Sequence, residues 1–176
     1  KMLTSILLVC LLSVVFPGSQ AYLVPATVSD VENPVPDGFA IYAQIGDIKG
    51  DATDLNHKDW IVLDSVSFGI HEPQSSTGSS RRRGDVILDD ITCSKELDKA
   101  SPKIAESVCK GKTHPMVLIN MVKVMGGEPQ SIYKYELKNV IITGMYSQAA
   151  TTEDPHTWDT FTLSYEDITT TYTEYD

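Results

Sequence analysis

The sequence predicts a mainly β protein: an antiparallel β-barrel, or a sandwich of the same strands, with one short flanking α-helix. Three observations carry that expectation. Apolar residues recur with period two through several separate stretches, which places one set on a core face. Turn-forming residues punctuate those stretches at short intervals, as in closed or nearly closed all-β folds. A single segment, Ser101 to Gly111, carries the start and stop signals of a helix.

The first element is not part of the barrel. Lys1 precedes an apolar run from Leu3 to Phe16, then Pro17-Gly18 and the small residues Ser19 and Ala21. That order is expected of a secretory signal over residues 1–21, and it is shorter than the roughly 20 apolar residues of an ordinary membrane span. An uncleaved anchor is the alternative. Residues 22–38 hold Pro25, Pro34, Pro36 and an Asp37-Gly38 turn, and read as an extended Pro-rich arm. Residues 39–176 form the barrel domain.

Within it, Phe39, Ile41, Ala43 and Ile45 alternate with polar or small residues, as do Val66, Phe68 and Ile70. The loop from His71 to Gly84, HEPQSSTGSSRRRG, is Ser-rich and basic at its end; an unstructured loop of that length is usually functional or disordered. Strands are expected over Val86 to Cys93 and Met116 to Val124. The second is apolar on both faces apart from Asn120 and Lys123, so both faces can be covered. Between them Ser101 offers an N-cap, Pro102 suits the first helical position, and Gly111 is a C′ glycine. Ile104 and Val108, with Ala105 and Cys109 beside them, make the apolar stripe of a two-turn helix that packing must hold. Met125 to Pro129 reads as a hairpin turn. Tyr133, Tyr135 and Leu137, then Phe161, Leu163 and Tyr165, alternate again, and the Thr- and Tyr-rich run Ile168 to Tyr175 reads as the last strand.

Composition narrows the function. The 176 residues carry 14 Lys plus Arg against 24 Asp plus Glu, a net charge of −10, which argues against nucleic acid as the main partner. Loss of residues 1–21 would remove one lysine and no acid, and would also remove Cys10. Cys93 and Cys109 then remain, and a disulfide is the natural reading in an oxidising compartment, with two unpaired buried thiols as the alternative. The bridge would close a loop of about 15 residues, worth about 3 kcal/mol in the loop-entropy account.

The motifs of common enzymes are missing: the sequence has no G-x-S-x-G, no P-loop and no G-x-G-x-x-G. His57, His71, His114 and His156 form no ligand pair at helical spacing. Asp47, Asp51, Asp54, Asn56 and Asp59 gather oxygen ligands but lack the order of a calcium loop, so a solvated turn is the better reading. Arg83-Gly84-Asp85 spells an adhesion tripeptide that three residues match readily by chance. No catalytic residue, metal ligand or cofactor is expected.

Four segments resemble one family in order along the chain. IYAQIGDIKGDATDLNHKDWIVLDSVSFGI (Ile41 to Ile70), KELDKASPKIAESVCKGK (Lys95 to Lys112), GGEPQSIYKYELKNVIITG (Gly126 to Gly144) and WDTFTLSYEDITTTY (Trp158 to Tyr172) are similar to the hemolysin-coregulated protein (Hcp) family, the tube subunits of bacterial type VI secretion. The resemblance covers about Phe39 to Tyr175. It implies an Hcp-like β-barrel that assembles with itself as hexameric rings, which stack into a tube whose lumen can hold a cargo protein. It implies no catalysis. It makes the long loop the contact with the next ring, here His71, Glu72, Pro73, Gln74, Arg81, Arg82, Arg83, Gly84 and Asp85. The Arg81–Arg83 cluster is the candidate for joining subunits this negative. The signal segment and the arm depart from the family pattern. They point to a secreted, extracellular structural relative without a membrane partner after cleavage. The alternatives are a monomeric secreted binding module that uses loop 71–84, and a genuine type VI tube or effector-carrier component.

Overall fold

The computed structural model describes residues 38–72, 86–126, 128–151 and 156–175. The expected signal segment, the expected arm up to Asp37, and residues 73–85 of the expected contact loop lie outside them. Among the described residues no helix is long and apolar enough to cross a membrane.

Ten strands and one helix follow in chain order: β1 (Phe39–Ile45), β2 (Ile61–Leu63), β3 (Ser65–Ser67), β4 (Ile70–His71), β5 (Ile87–Leu88), β6 (Ile91–Glu96), α1 (Ser101–Lys110), β7 (Thr113–Met125), β8 (Glu128–Ala150), β9 (His156–Ser164) and β10 (Asp167–Tyr172). Eight of the strands form one antiparallel sheet in the order β2-β1-β7-β8-β9-β6-β3, with β10 added along the first half of β8. The sheet is not closed by a continuous ladder. Its two end strands, however, are one run of chain, interrupted only at Asp64, whose N–H donates to the Ser94 carbonyl at 2.9 Å. Ile61–Leu63 pair with β1 and Ser65–Ser67 with β6, so this run brings the two ends of the sheet together. The expected barrel thus takes its nearly closed form.

The alternating residues supply the core. Ala43, Ile45, Ile61, Ile91, Val117, Ile119, Leu137, Val140, Phe161 and Leu163 are all fully buried in one cluster, and Ile104 of α1 joins it. Burial of each such large side chain stabilises the fold by roughly 1.5–3 kcal/mol. β1 is buried on its outer face as well. Ala40 and Tyr42 pack with Ala52, Val122 and Trp60, because the loop after β1 folds back over that face. Gly50 permits this return: its N–H donates to Asp59 O at 2.8 Å, and an added Cβ would lie 2.4 Å from Ile61 Cα. The hairpin between β7 and β8 forms where expected, with Gly126 at φ +63°.

Several expectations are corrected. The strand expected over Val86 to Cys93 is two strands, because Asp89 and Asp90 interrupt it. β4 and β5 pair as a separate two-stranded sheet. Ile70, read as a core residue, is exposed there with Val86, Ile87 and Leu88, and Phe39 is exposed at the start of β1. Ser101 does not cap α1. Ala100 holds the cap position while Asp98 Oδ1 accepts the Ala100 N–H at 2.8 Å, which leaves the Ser101 hydroxyl for other partners. Gly111 ends the helix as expected, at φ +58°.

The expected Cys93–Cys109 disulfide is not formed; both are free thiols. Cys93 faces inward on β6 and is fully buried, which pushes its thiol up to about 12. The buried face of α1 is Ser101, Ile104 and Ser107, with Val108 half-buried against the core. Cys109 stands about 140° around the helix from Ile104, on the solvent side.

Candidate functional site

Among the described residues, three places bear most on function. The first is the base of the long loop. His71 ends β4, and it and Glu72 are exposed. Across from them lie the exposed Asp89 and Asp90, with His71 Nδ1 3.4 Å from Asp89 Oδ1. The remaining expected contact residues, Pro73, Gln74, Arg81, Arg82, Arg83, Gly84 and Asp85, lie outside the described residues, as does the adhesion tripeptide.

The second is a buried polar knot that the sequence reading missed. Lys95 on β6 is fully buried, yet its Nζ donates to Glu96 O at 2.6 Å, to Asp98 Oδ1 at 2.6 Å and to Ser101 Oγ at 2.9 Å. Asp159 Oδ2, directly opposite on β9, is 3.3 Å away. Asp159 in turn accepts from the Ser101 hydroxyl and, through Oδ1, from Ser147 Oγ at 2.6 Å. Burial pushes the Asp159 carboxyl up, but the two hydroxyls and the Lys95 ammonium outweigh it and hold the carboxyl below its ordinary value. The knot ties β6, β8, β9 and α1 together. Its sequence signal was a charge on the inward parity of each strand: Lys95 in step with Ile91 and Cys93, Asp159 in step with Phe161 and Leu163.

The third is an open groove of about 750 Å3 between α1 and the loop after β1. Ile48 and Ser107 line it, and five lysines stand around it. Each lysine leans on a carboxylate. Lys112 meets Asp47 at 2.7 Å, Lys49 meets Asp59 at 3.2 Å, and Lys99 meets Asp51 at 3.0 Å. Lys103 and Lys110 share Glu106, and their hydrogen bonds draw its carboxyl down to about 2. Hydrogen bonds from Lys112 and Lys49 likewise lower Asp47 and Asp59. Below the groove Ser107 Oγ is 2.7 Å from Nε2 of the buried His114. Burial, aided by Lys112, lowers the His114 pKa, with Asp47 opposing. Gly46, at φ +52°, lets the chain pass this ring; its Cβ would fall 2.9 Å from His114 Nδ1.

The acids weighed as calcium ligands are separated by these pairings. Asp54 goes to His57 Nδ1 at 2.6 Å, and His57 is itself buried, stacked on Tyr42 with ring centroids 4.5 Å apart. Among the described residues no group of three or more His, Cys, Asp or Glu could hold a metal ion.

Comparison with known proteins gives a consistent picture. The family model described as type VI secretion system effector, Hcp, matches residues 42–172. The curated relative "Protein hcp1" of Pseudomonas aeruginosa is 28% identical over 134 residues, which is 75% of this chain and 82% of that one. Among solved structures, a type six secretion system protein superposes with a TM-score of 0.72 at 21% identity, over 78% of this chain and 86% of its own. Hcp1 from Salmonella typhimurium gives 0.65 at 21% identity, over 78% and 87%. These structures share the fold described above.

Proposed function

Because the chain belongs to the Hcp family of type VI secretion effectors, we propose that it is a non-enzymatic structural subunit that assembles with itself into six-membered rings, which stack into a tube or filament. One observation carries this reading: the family match runs from β1 to the end of β10, across the whole barrel and its helix. Two physical features support it. The outer edge of β10 pairs with no strand among the described residues, and an open edge of this kind is an aggregation hazard unless a neighbour covers it. The exposed apolar side chains of β4 and β5 offer a second surface that association would bury. Two different surfaces on one subunit give heterologous contacts, which close into a ring when the rotation between neighbours is a whole fraction of a turn.

The finer reading is also ours. Residues 1–21 act as a cleaved export signal, residues 22–38 as an arm lying along a neighbouring subunit, and residues 39–176 as the ring-forming barrel of an extracellular structural protein. Loop 71–84 meets the next ring with Arg81, Arg82 and Arg83, and the lumen of the tube holds a cargo protein. The test is light scattering and negative-stain microscopy on the full chain and on a chain beginning at Tyr22. A mass near six chains with ring-shaped particles is expected. A mass near one chain overturns the proposal and favours a monomeric binding module.

A further inference from the structure

Below the lysine groove, His114 sits where three parts of the chain meet, and the assembly proposed above makes no use of it. We propose that it is an acid-sensitive latch: its neutral ring holds the turn after β1 and the last turn of α1 against the barrel, and protonation releases both while the barrel stays folded. The device lies within one chain and works with or without assembly.

Packing comes first. His114 stands at the start of β7 and is buried. On one side its Nε2 is 2.7 Å from Ser107 Oγ of α1. The Ser107 carbonyl also accepts the Lys112 N–H at 3.1 Å, so one residue holds both the ring and the chain that leaves the helix. On the other side Nδ1 faces Gly46, with no room for a Cβ between them. The turn that Gly46 begins closes with the Ile48 N–H donating to Ile45 O at 3.0 Å, and it buries Ile48. Val140 of β8, opposite His114 in the ladder, is buried as well. The ring is thus enclosed by α1, β8 and the turn after β1.

Protons come second. A neutral imidazole has one donor and one acceptor, and the imidazolium has two donors. Ser107 Oγ serves one nitrogen. Among the described residues Nδ1 makes no hydrogen bond, so a second N–H there finds no protein acceptor. Burial opposes a charge on the ring, and so does Lys112, close before it in the chain. Asp47, paired with Lys112 at 2.7 Å, favours that charge, as does the C-terminal end of α1. Lys103, Glu106 and Lys110 of α1 pair with one another at the rim, Lys49 pairs with Asp59, and β8 brings only the apolar Val140. Burial and Lys112 outweigh Asp47, so the enclosed ring gives up its proton more readily than an ordinary imidazole. An opened latch regains the ordinary value of about 6.5 and takes up protons before a closed one does. Opening therefore rises about tenfold per pH unit below 6.5 and levels off at the lower closed value. Gly46, Asp47 and residues 110–112 are exposed, and such segments open at less cost than the core.

The test is amide hydrogen exchange on the full chain between about pH 5 and 7.5, corrected for the intrinsic pH dependence of exchange, with the His114 ring resonance followed by NMR over the same range. The bonded amides of Ile48, Gly111 and Lys112 are expected to lose protection about tenfold per pH unit below 6.5, while the paired strands β7 and β8 keep theirs. The His114 resonance should titrate below 6.5. His114→Gln, whose side-chain carbonyl accepts from Ser107 at any pH, should make protection at the three amides independent of pH. Loss that spreads through β7 and β8 overturns the latch, because the whole barrel is then yielding. So does a His114 midpoint at or above 6.5, or protection at the three amides that ignores pH or follows it equally in His114→Gln. The midpoint and the spread of exchange are read on the unchanged protein, so they decide the matter even where the variant fails to fold.

Discussion

One short stretch of chain, residues 95–112, contributes to two lysine clusters of opposite character. At Lys95 the ammonium is fully buried and surrounded by two carboxylates, a hydroxyl and a carbonyl oxygen. At Lys99, Lys103, Lys110 and Lys112 the ammonium groups stand at the surface, each on an exposed acid. The same pair of charges does different work in the two places. In the buried knot neither member can turn to water, so loss of one strands the others. In the groove water screens every pair, so the charges add little to folding.

The largest expected effect breaks the knot. Lys95→Met leaves Asp159 buried and Asp98 nearly so without their cation, and should cost about 3–5 kcal/mol, read as a fall in the urea midpoint. Adding Asp159→Leu to Lys95→Met should recover part of that loss, since the pair then vanishes together. A double variant as unstable as the sum of both singles would mean the two residues are not coupled.

Acid sharpens the same contrast. The Asp159 carboxyl is held below its ordinary value, so its contribution to stability is fully present above the unfolded value near 3.9 and is lost as pH falls through the lower folded value. Lys95→Met removes one of the groups that lower it, so acid unfolding should begin at higher pH in that variant. His114 acts over a different window. Its folded pKa is lowered, so the unfolded chain binds the extra proton first and stability declines as pH falls from about 6.5. His114→Gln should flatten that part of a stability–pH curve and leave the steeper acid limb in place.

The knot also shows what the sequence could and could not reveal. The period-two pattern correctly picked out Ile41, Ala43, Ile45, Phe161 and Leu163 as core, because alternation is a local property of a strand with one buried face. The helix and its terminal Gly111 were legible for the same reason: their signals lie within a few residues of one another. Lys95 and Asp159 were legible in principle, as opposite charges on inward positions, but only once β6 and β9 were known to be neighbours. The covered outer face of β1 and the lysine groove were not legible. Both are made by the loop after β1 folding back, and the groove draws on residues as far apart as Lys49 and Lys112. The disulfide expectation failed on a similar point. Parity along a strand and position around a helix had to agree, and Cys109 lies on the outer side of α1. Iodoacetamide followed by peptide mass mapping should therefore label Cys109 in the folded protein and Cys93 only after unfolding. Absence of label on both would restore the bridge.

The smallest expected effect lies in the groove, and its smallness is what separates the two clusters. Lys103→Ala and Lys110→Ala each remove a hydrogen bond to Glu106 whose geometry is as short as those in the knot. A short contact in water still competes with hydration of both partners and with the rotamer freedom of a long side chain. The low value of the Glu106 carboxyl, about 2, reports local attraction to two ammonium groups and not stored folding energy. Neither variant should move the urea midpoint beyond measurement error, at low or high salt. A clear loss of stability in either would show that the groove pairs are structural after all. The lysines would then be held for the fold, as Lys95 is.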